Sequence, residues 1–304
     1  MILSISRRTD IPAYYLEWLV NRFNEGYVCV RNPINYHQVS KIIINPDVID
    51  GLVFWTKNPI HILDKLSTFK EYTYYFQITI NSYQNDIEPN IPSKLETIIP
   101  TVIQLSNSIG SNRIIWRYDP IFYTNKYTYE YHVQNFERIA SLLSTYTNTC
   151  VISFLDMYKK IENKLLSNNI HILQDNEKMQ LVKSLSEIAQ KYNIVIKTCA
   201  ENINLIQYGI EPGSCINKKL FESLLNCKLS INKDKNQREC CNCVASIDIG
   251  AYNTCFGNCL YCYANISSDN RNTNHDPNSP LLIGNIENND KVSIRKMISY
   301  KEKS

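Results

Sequence analysis

Short apolar runs recur along the chain, and most are followed by polar residues and then by a helical pattern. The runs are rich in Val, Ile, Tyr and Phe, a composition that is typical of buried β-strands. We predict strands at Ile2–Ser6, Tyr27–Val30, Gly51–Trp55, Tyr74–Ile80, Ile114–Arg117, Cys150–Phe154, Ile194–Lys197 and Ser246–Ile249.

Apolar residues with helical spacing lie between these strands. The first set, over residues 16–23, repeats at i, i+3, i+4 and i+7, with Asp10 as a cap and Gly26 as a stop. The same spacing predicts a helix over residues 136–143. Residues 93–110 also have a helical pattern.

Strands that alternate with helices predict an α/β fold with a parallel sheet. Eight such units fit a (β/α)8 barrel, and a partial TIM-like barrel is the alternative. The even spread of the units predicts a single domain over residues 1–265. The polar tail at residues 266–304 either covers the barrel mouth or forms a loose surface extension.

Composition and charge narrow the class of protein. The chain has 304 residues, of which 44% are hydrophobic, which is enough for a sizeable core. Its net charge of +3 gives no general electrostatic reason to expect nucleic acid binding. No run of about 18 apolar residues is present, so we expect no membrane partner. Residues 1–8 place their apolar positions before their charges, the reverse of a signal peptide, which favours a cytoplasmic protein.

The chain contains 11 cysteines. In a secreted protein so many would suggest disulfides. An odd number, clustered C-x2-C and C-x-C spacings and the absence of a signal peptide instead favour metal binding in a reducing cytoplasm.

Three of the cysteines, Cys255, Cys259 and Cys262, follow a C-x3-C-x2-C spacing in a segment rich in Tyr, Gly and Asn. Three thiolates on one tight loop can hold three irons of a cubic 4Fe-4S cluster and leave the fourth iron without a protein ligand. That open iron can bind a small molecule. The alternative is a zinc knuckle, but zinc requires a fourth Cys or His, and the loop offers none.

Polar residues follow most of the predicted strands. They are candidates for an active site, because barrel enzymes place it at the carboxyl ends of their strands. The cations among them suit a carboxylate or phosphate group of a small-molecule substrate. The candidate catalytic residues are Arg7, Arg8, Lys57, Arg117, Asp119 and Glu201. The alternative for each is a structural role, as a helix cap or as the partner of a neighbouring charge.

The cysteine spacing, with Tyr261 before the last cysteine, resembles the cluster loop of radical S-adenosylmethionine (radical SAM) enzymes. The longer segment Tyr252–Ala264 is similar to the photolyase-type branch of these enzymes, which includes spore photoproduct lyase. The whole chain also resembles an uncharacterised bacterial family through the segments Ser6–Pro12, Asp234–Arg238 and Ser246–Gly250.

The resemblance implies a reaction. The open iron would bind SAM through its amino and carboxylate groups. The reduced cluster would cleave SAM to a 5′-deoxyadenosyl radical, which would abstract hydrogen from the substrate. An electron donor such as ferredoxin or flavodoxin is implied as a partner. The candidate cofactor-binding residues are Gln77, Asn81 and Tyr261.

Following the resemblance, a second metal site is assigned to Cys199, Cys215, Cys241 and Cys243. Cys240 is the alternative to Cys241. Four thiolates would close a second 4Fe-4S cluster or a zinc site completely. Cys199 is predicted at the top of the seventh predicted strand and Cys243 just before the eighth, which are levels roughly 17–20 Å apart. Either the loop at residues 227–245 climbs the barrel or Cys199 is not a ligand.

Two features depart from the radical SAM pattern. The cysteine loop lies near the C-terminus rather than after the first strand, which predicts a circularly permuted arrangement with the last strand beside the first. No Gly-Gly-Glu-like segment, the usual site for the methionine end of SAM, follows a strand. The second departure keeps two alternatives open. One is a 4Fe-4S enzyme whose open iron binds substrate without SAM, and the other is a non-catalytic redox or DNA-repair accessory protein.

Overall fold

The computed structural model describes residues 1–265 and 274–302, which form an α/β fold. The strands in these ranges are β1 (Ile2–Ile5), β2 (Tyr27–Arg31), β3 (Gln38–Ile43), β4 (Gly51–Thr56), β5 (Tyr74–Thr79), β6 (Ile114–Ile121), β7 (Thr149–Phe154), β8 (Val195–Thr198), β9 (Glu211–Pro212), β10 (Ile247–Asp248) and β11 (Lys291–Ile294). The α-helices there are α1 (Ile11–Tyr14), α2 (Leu16–Glu25), α3 (Ile99–Ile109), α4 (Tyr129–Leu143), α5 (Glu162–Ser167), α6 (Asp175–Lys191) and α7 (Lys218–Leu225). None of the helices in the described ranges is long and apolar enough to cross a membrane.

The larger sheet of the described residues has eight parallel strands in the order β10-β1-β4-β5-β6-β7-β8-β9. Parallel neighbours need crossover connections, which the predicted alternation of strands and helices supplies. β10 pairs with β1 through Leu3 opposite Ile247 and Ser4 opposite Asp248. The segment that follows β10 therefore begins beside the end of β1.

The prediction that Tyr27–Val30 belongs to the parallel sheet was wrong. β2 pairs antiparallel with β3, and β11 joins β3 to complete a separate three-stranded sheet. The connection at residues 32–37 is too short for a crossover, so β2 and β3 form a hairpin. The eighth position of the large sheet is taken instead by β9, an exposed strand of two residues without an apolar run.

Side chains of the central strands alternate between the two faces of the sheet. On one face, Leu52, Phe54, Phe76 and Trp116 pack with the helices in the main apolar cluster. The helices α2, α3, α4 and α6 cover this face. Its side chains are therefore buried, which explains the apolar runs in the sequences of the strands.

The intervening residues of the same strands form the inner face. Val53, Tyr75, Ile115 and Val151 lie there in a second apolar cluster, which includes Phe221 of α7. Two residues further along, alternation places polar or amphipathic side chains on this face, namely Trp55, Gln77, Arg117 and Ser153. The inner face therefore changes from apolar to polar toward the carboxyl ends of the strands.

The predicted end of the first helix is confirmed, but its predicted start is not, because Asp10 caps the separate short helix α1 and α2 begins at Leu16 after Tyr15. Asp10 Oδ1 accepts a hydrogen bond from the backbone N of Ala13 at 3.1 Å, as an N-cap does. Gly26 adopts a left-handed conformation with φ of 74° and ends α2. The helical segment that the sequence predicts over residues 93–110 ends at Gly110.

The C-terminal tail packs against α2 and the three-stranded sheet. Trp18 Nε1 donates a hydrogen bond to Ser279 O at 2.9 Å, and Leu281 bridges to Cys29 of β2. Further along the tail, β11 pairs in parallel with β3. Residues 266–273, the first part of the extension that was predicted either to cover the barrel mouth or to form a loose surface extension, lie outside the described residues.

Candidate metal centre

The polar part of the inner face and the loop after β10 line a cavity of about 680 Å³. All seven cysteines assigned to metal sites line it: Cys199, Cys215, Cys241, Cys243, Cys255, Cys259 and Cys262. The sequence places these residues up to 63 positions apart, and the fold brings them to one chamber.

Most of the other predicted site residues reach the same cavity. Those that line it are Arg7, Arg8, Lys57, Arg117, Asp119 and Tyr261. Gln77, Asn81 and Glu201 are not among its lining residues. In the part of the chain that the structure describes, residues 274–302 contribute nothing to its wall.

The three-cysteine loop is folded back on itself and tied to its neighbours. The backbone N of Asn253 donates to Ala264 O at 2.8 Å, which closes the loop. The backbone N of Leu260 donates to Ile87 O at 2.9 Å, which attaches the loop to the segment after β5. These bonds hold three sulfur atoms on one wall of the cavity.

The thiols of this loop are strongly desolvated. Burial raises the pKa of Cys255 to about 11, and it raises the pKa of Cys259 and Cys262 as well. Neutral buried thiols are unreactive, whereas metal binding requires thiolates and stabilises them. Three soft sulfur donors directed at one cavity therefore fit a metal cluster better than they fit a nucleophilic site.

Glu88 is the buried charge behind this loop, and it was not among the predicted site residues. Its carboxylate accepts hydrogen bonds from Lys57 Nζ at 2.8 Å and from the hydroxyl of Tyr261, and it pairs with Lys94 Nζ at 2.7 Å. Burial alone would raise the pKa of Glu88, but the two lysines outweigh burial and lower it to about 2. Lys57, a predicted catalytic residue, is therefore held by an ion pair beneath the cysteine loop.

Asn81 and Tyr261, predicted to bind a cofactor, are close partners. Asn81 Nδ2 donates to Glu88 Oε1 at 3.0 Å and to the Tyr261 hydroxyl at 3.2 Å. Asn81 is 1% exposed and Tyr261 is 8% exposed. Their contacts connect β5 to the cysteine loop through Glu88, and only Tyr261 also faces the cavity.

The four-cysteine group assembles around Cys215. Its Sγ lies 3.0 Å from Cys199 Sγ. The backbone N atoms of Cys215 and Ile216 donate to Cys243 Sγ at 3.2 and 3.3 Å. The predicted separation between the levels of Cys199 and Cys243 does not arise, because the chain after β9 turns inward and places Cys215 between them.

Cys241 rather than Cys240 joins this group. The thiol of Cys243 hydrogen-bonds Cys241 and lowers its pKa to about 7. The thiol of Cys240 points away and donates to Ala200 O at 3.2 Å. The Cys241–Cys243 pair is therefore the one that faces the cavity.

In neither cysteine group do three sulfur atoms lie mutually within 4.8 Å of one another, although Cys199 Sγ and Cys215 Sγ are 3.0 Å apart. Within residues 1–265 and 274–302, the only three His, Cys, Asp or Glu donor atoms that all lie within 4.8 Å of one another are those of His37, Glu287 and Asp290. A single tetrahedral zinc ion with Zn–S bonds of about 2.3 Å would draw all its sulfur ligands closer than that. Asp290 itself is already bound by Arg31 through both oxygens, at 2.6 and 2.7 Å.

The buried Arg117 pairs with the half-buried Asp119 on the inner face. Arg117 Nε donates to Asp119 Oδ2 at 2.7 Å, and Asp119 Oδ1 accepts from Ser153 Oγ at 2.8 Å. Arg117 is 5% exposed. The pair confirms that the strand ends are polar, and both side chains reach the cavity wall.

Arg7 and Arg8 carry the more accessible positive charge. Their Nε atoms lie 3.9 and 4.0 Å from the same carboxylate, Asp248. Asp248 also accepts hydrogen bonds from Ser6 Oγ at 2.5 Å and from the backbone N of Arg7 at 2.9 Å. One carboxylate therefore serves two guanidinium groups, and positive charge exceeds negative charge at this wall.

Two aromatic rings flank these cations. The guanidinium of Arg7 lies 5.9 Å from the ring centre of Trp55, and that of Arg8 lies 5.0 Å from the ring centre of Tyr252. Neither ring was a predicted site residue. Asp248 lies in the segment Ser246–Gly250 that the sequence analysis noted, but its link to the two arginines required the pairing of β10 with β1.

Glu201 and Gln77 have other surroundings. Burial raises the pKa of Glu201 to about 7, and its carboxylate accepts from the backbone N of Phe154 at 2.8 Å. It lines a smaller cavity of about 220 Å³ with Asp156 and Arg238. Gln77 is 2% exposed and donates from Nε2 to Cys215 O at 3.0 Å, so it supports the four-cysteine group.

The cavity combines metal-ligating groups with anion-binding groups. Two sets of sulfur donors and a wall of excess positive charge meet in one cavity that is large enough for a small molecule. Such a site can hold metal at its sulfur atoms and orient an anionic molecule beside it.

A family model described as a domain of unknown function (DUF1848) matches residues 2–264. A comparison with curated proteins gives no match.

Proposed function

We propose that this chain, which belongs to the DUF1848 family, is an iron–sulfur enzyme of the radical SAM type that acts on a small anionic substrate. The observation that carries the proposal is the shared cavity. The sulfur ligands of the three-cysteine loop and the guanidinium groups of Arg7 and Arg8 line the same chamber.

The metal chemistry belongs to the cofactor. A 4Fe-4S cluster with an open iron supplies, when bound, the electron that cleaves SAM to a 5′-deoxyadenosyl radical. Cys255, Cys259 and Cys262 would hold this cluster. Their three sulfur atoms do not all lie within 4.8 Å of one another, which supports a cluster over a single zinc ion.

The side chains of the cavity wall bind and orient the substrate. Arg7 and Arg8 anchor a carboxylate or phosphate of the substrate, since Asp248 offsets only one of their two charges. Trp55 and Tyr252 limit the positions of the guanidinium groups. Lys57 is fixed by its ion pair with Glu88 and lies near Cys259, where burial and the Glu88 charge, which raise the pKa of the thiol, outweigh the opposite effect of Lys57.

The four-cysteine group is a second metal centre in this proposal. Because all four of its ligands come from the protein, it would relay electrons from a donor such as ferredoxin or flavodoxin rather than bind substrate. We assign it a second iron–sulfur cluster, and zinc is the alternative. The two backbone N–H groups that point at Cys243 Sγ support a metal-bound thiolate.

We also infer that the eight-stranded sheet curves into a TIM-like barrel. Val244 N, in the segment before β10, donates to Ile216 O, in the segment after β9, at 3.2 Å, which links the two edges of the sheet. The inner-face residues Ile2 and Val151, on distant strands, share one apolar cluster with Phe221. Both observations support a closed arrangement in which the cysteine loop follows the last strand.

The test is anaerobic reconstitution with iron and sulfide, reduction with dithionite, and electron paramagnetic resonance (EPR) spectra with and without SAM. We expect a reduced 4Fe-4S signal that SAM alters, together with formation of 5′-deoxyadenosine. Replacing Cys255, Cys259 and Cys262 with Ala should abolish the SAM-sensitive signal. The matched control is Cys227→Ala, which removes a half-buried thiol outside the cavity and should change neither result.

Two other outcomes would redirect the proposal. A reduced cluster that ignores SAM would sink the radical SAM reaction and favour a 4Fe-4S enzyme whose open iron binds substrate directly. Salt-dependent DNA binding that does not change on reduction would instead favour an accessory repair protein.

A further inference from the structure

Arg117 is a cation of the cavity wall that contacts a predicted metal ligand directly. Its Nη1 donates to Cys215 Sγ at 2.9 Å and to Gln77 Oε1 at 3.1 Å. Its Nε and Nη2 both donate to Asp119 Oδ2. These contacts use four of the five N–H donors of the guanidinium.

Cys215 is held from its backbone side as well. The hydroxyl of Tyr75 and the amide of Gln77 donate to Cys215 O at 2.5 and 3.0 Å. Tyr75 and Gln77 lie on β5 and Arg117 lies on β6, which are neighbouring strands of the sheet. Rigid elements therefore fix both the carbonyl and the sulfur of Cys215.

The burial of Arg117 separates its role from that of Arg7 and Arg8. Arg117 is 5% exposed, its charge is matched by Asp119, and the ring of Trp55 covers it at 5.4 Å. A substrate anion would have to displace Asp119 to bind it in a bidentate manner. The guanidinium is instead committed to the sulfur of Cys215.

We propose that Arg117 is a positioning residue of the four-cysteine centre: it orients Cys215 and raises the reduction potential of the iron–sulfur cluster held there. The proposal rests on the second metal centre of the proposed function and not on the use of SAM. Reduction adds one electron to the cluster and therefore one negative charge. A hydrogen bond from a guanidinium to a ligand sulfur stabilises that reduced state.

The experiment uses the full chain with Cys255, Cys259 and Cys262 replaced by Ala, so that only the four-cysteine group can hold metal. Iron, sulfide and zinc are measured after anaerobic reconstitution. The cluster is then titrated with dithionite and redox mediators and followed by visible absorbance. The parent is compared with variants that also carry Asp119→Asn or the pair Arg117→Gln and Asp119→Asn.

The double substitution avoids leaving Asp119 buried without its partner, and Asp119→Asn alone keeps the bond from Arg117 to Cys215. We expect Asp119→Asn to retain a potential at or above that of the parent. The pair with Arg117→Gln should lower it, with a change of at least about tenfold in the reduction equilibrium, equal to about 59 mV for a one-electron couple. Arg117→Lys combined with Asp119→Asn should give a reduction potential between those of the two Asp119 variants, because Lys keeps the positive charge but loses the planar guanidinium.

The outcomes separate the two proposals. Equal potentials in the two Asp119 variants, at equal iron content, would overturn the role of Arg117. A parent that binds neither iron nor zinc would remove the second metal centre itself. A parent that binds zinc but no iron would overturn the redox role. In that case, a rate of zinc loss to a chelator that is the same with and without the Arg117 substitution would also overturn the positioning role.

Discussion

Glu88 is the residue that joins the cysteine loop to the sheet. It is 0% exposed and is surrounded by two lysines, one amide and one tyrosine hydroxyl. A buried carboxylate is tolerated only when its charge is compensated, and here two lysines pair with it while Oε1 accepts three hydrogen bonds. Glu88 therefore helps to fix the position of Tyr261, together with Asn81 and the backbone bond from Leu260 to Ile87.

We expect Glu88→Gln to destabilise the protein by up to about 3 kcal/mol, because it removes the counter-charge of the half-buried Lys57 and Lys94. Urea unfolding at pH 7 measures the loss. Since the pKa of Glu88 is lowered from 4.5 to about 2, its contribution is present above pH 4.5 and is lost as the pH falls toward 2. The difference between the two proteins should therefore shrink over that range.

Two variants test the physical reason for this loss. Glu71→Gln removes an exposed carboxylate and should change the free energy of unfolding by less than about 0.5 kcal/mol. Adding Lys94→Met to Glu88→Gln should recover part of the stability, because one of the stranded charges is gone. An equal loss in the Glu71 and Glu88 variants would contradict the explanation.

At the scale of elements, α7 seals the apolar end of the inner face. The ring of Phe221 packs over Gly51 at the start of β4, so closely that a Cβ atom at Gly51 would lie 2.0 Å from Phe221 Cε1. Glycine is required there by the approach of the helix and not by an unusual backbone angle. The contact fixes the depth at which α7, and the cysteines on both sides of it in the chain, meet the sheet.

We expect Gly51→Ala to destabilise the protein by about 1–3 kcal/mol through overpacking, and Phe221→Ala by about 3–5 kcal/mol through the loss of the ring. The double variant should lose less than the sum, since the new methyl group then occupies space that the ring has left. Thermal or urea unfolding of the unsubstituted protein, the two single variants and the double variant gives the coupling free energy between Gly51 and Phe221.

The matched control combines Gly51→Ala with Phe136→Ala, which truncates a ring of α4 on the opposite face of the sheet. Those two changes should be additive within about 0.5 kcal/mol. Additivity in the Phe221 pair as well would show that α7 does not press on Gly51.

At the scale of the molecule, the four-cysteine group connects the two edges of the large sheet. Cys215 follows β9, Cys243 precedes β10, and both belong to the apolar cluster of the inner face. A metal bound there cross-links segments that are otherwise joined by few backbone bonds. Folding and metal binding are therefore expected to be coupled.

We expect removal of metal by a chelator to lower the stability of the reconstituted protein by about 4 kcal/mol, the contribution of a ligand at a thousandfold excess over its Kd. Limited proteolysis should then cut within residues 213–245. Thermal unfolding and mass spectrometry of the fragments provide the measurements.

The position of the proteolytic cuts shows which of the two cysteine groups the metal stabilises. A protein with Cys255, Cys259 and Cys262 replaced by Ala should still become sensitive to proteolysis at residues 213–245 on chelation. The variant Cys215→Ala, Cys243→Ala should be sensitive whether or not metal is added. Cleavage that is independent of metal in all of these proteins would contradict the coupling.

Features encoded over short distances in the chain could be predicted from sequence. The spacing of Cys255, Cys259 and Cys262 places three sulfur atoms on one loop whatever surrounds it, and the structure keeps them on one cavity wall. Apolar periodicity located most of the strands and the helix that ends at Gly26. Such features follow from backbone geometry, which repeats every two residues in a strand and every 3.6 residues in a helix.

Contacts between distant parts of the chain were decided only by the tertiary structure. The sequence gives no signal that Glu88 lies beneath Tyr261, 173 residues away, or that Asp248 faces Arg7 across a strand pair. It also could not show that β2 forms a hairpin while β9 completes the large sheet, because strand pairing depends on the lengths of connections and on packing. The fold class and the sulfur loop are local properties of this sequence, whereas the charges that surround that loop come from its folding.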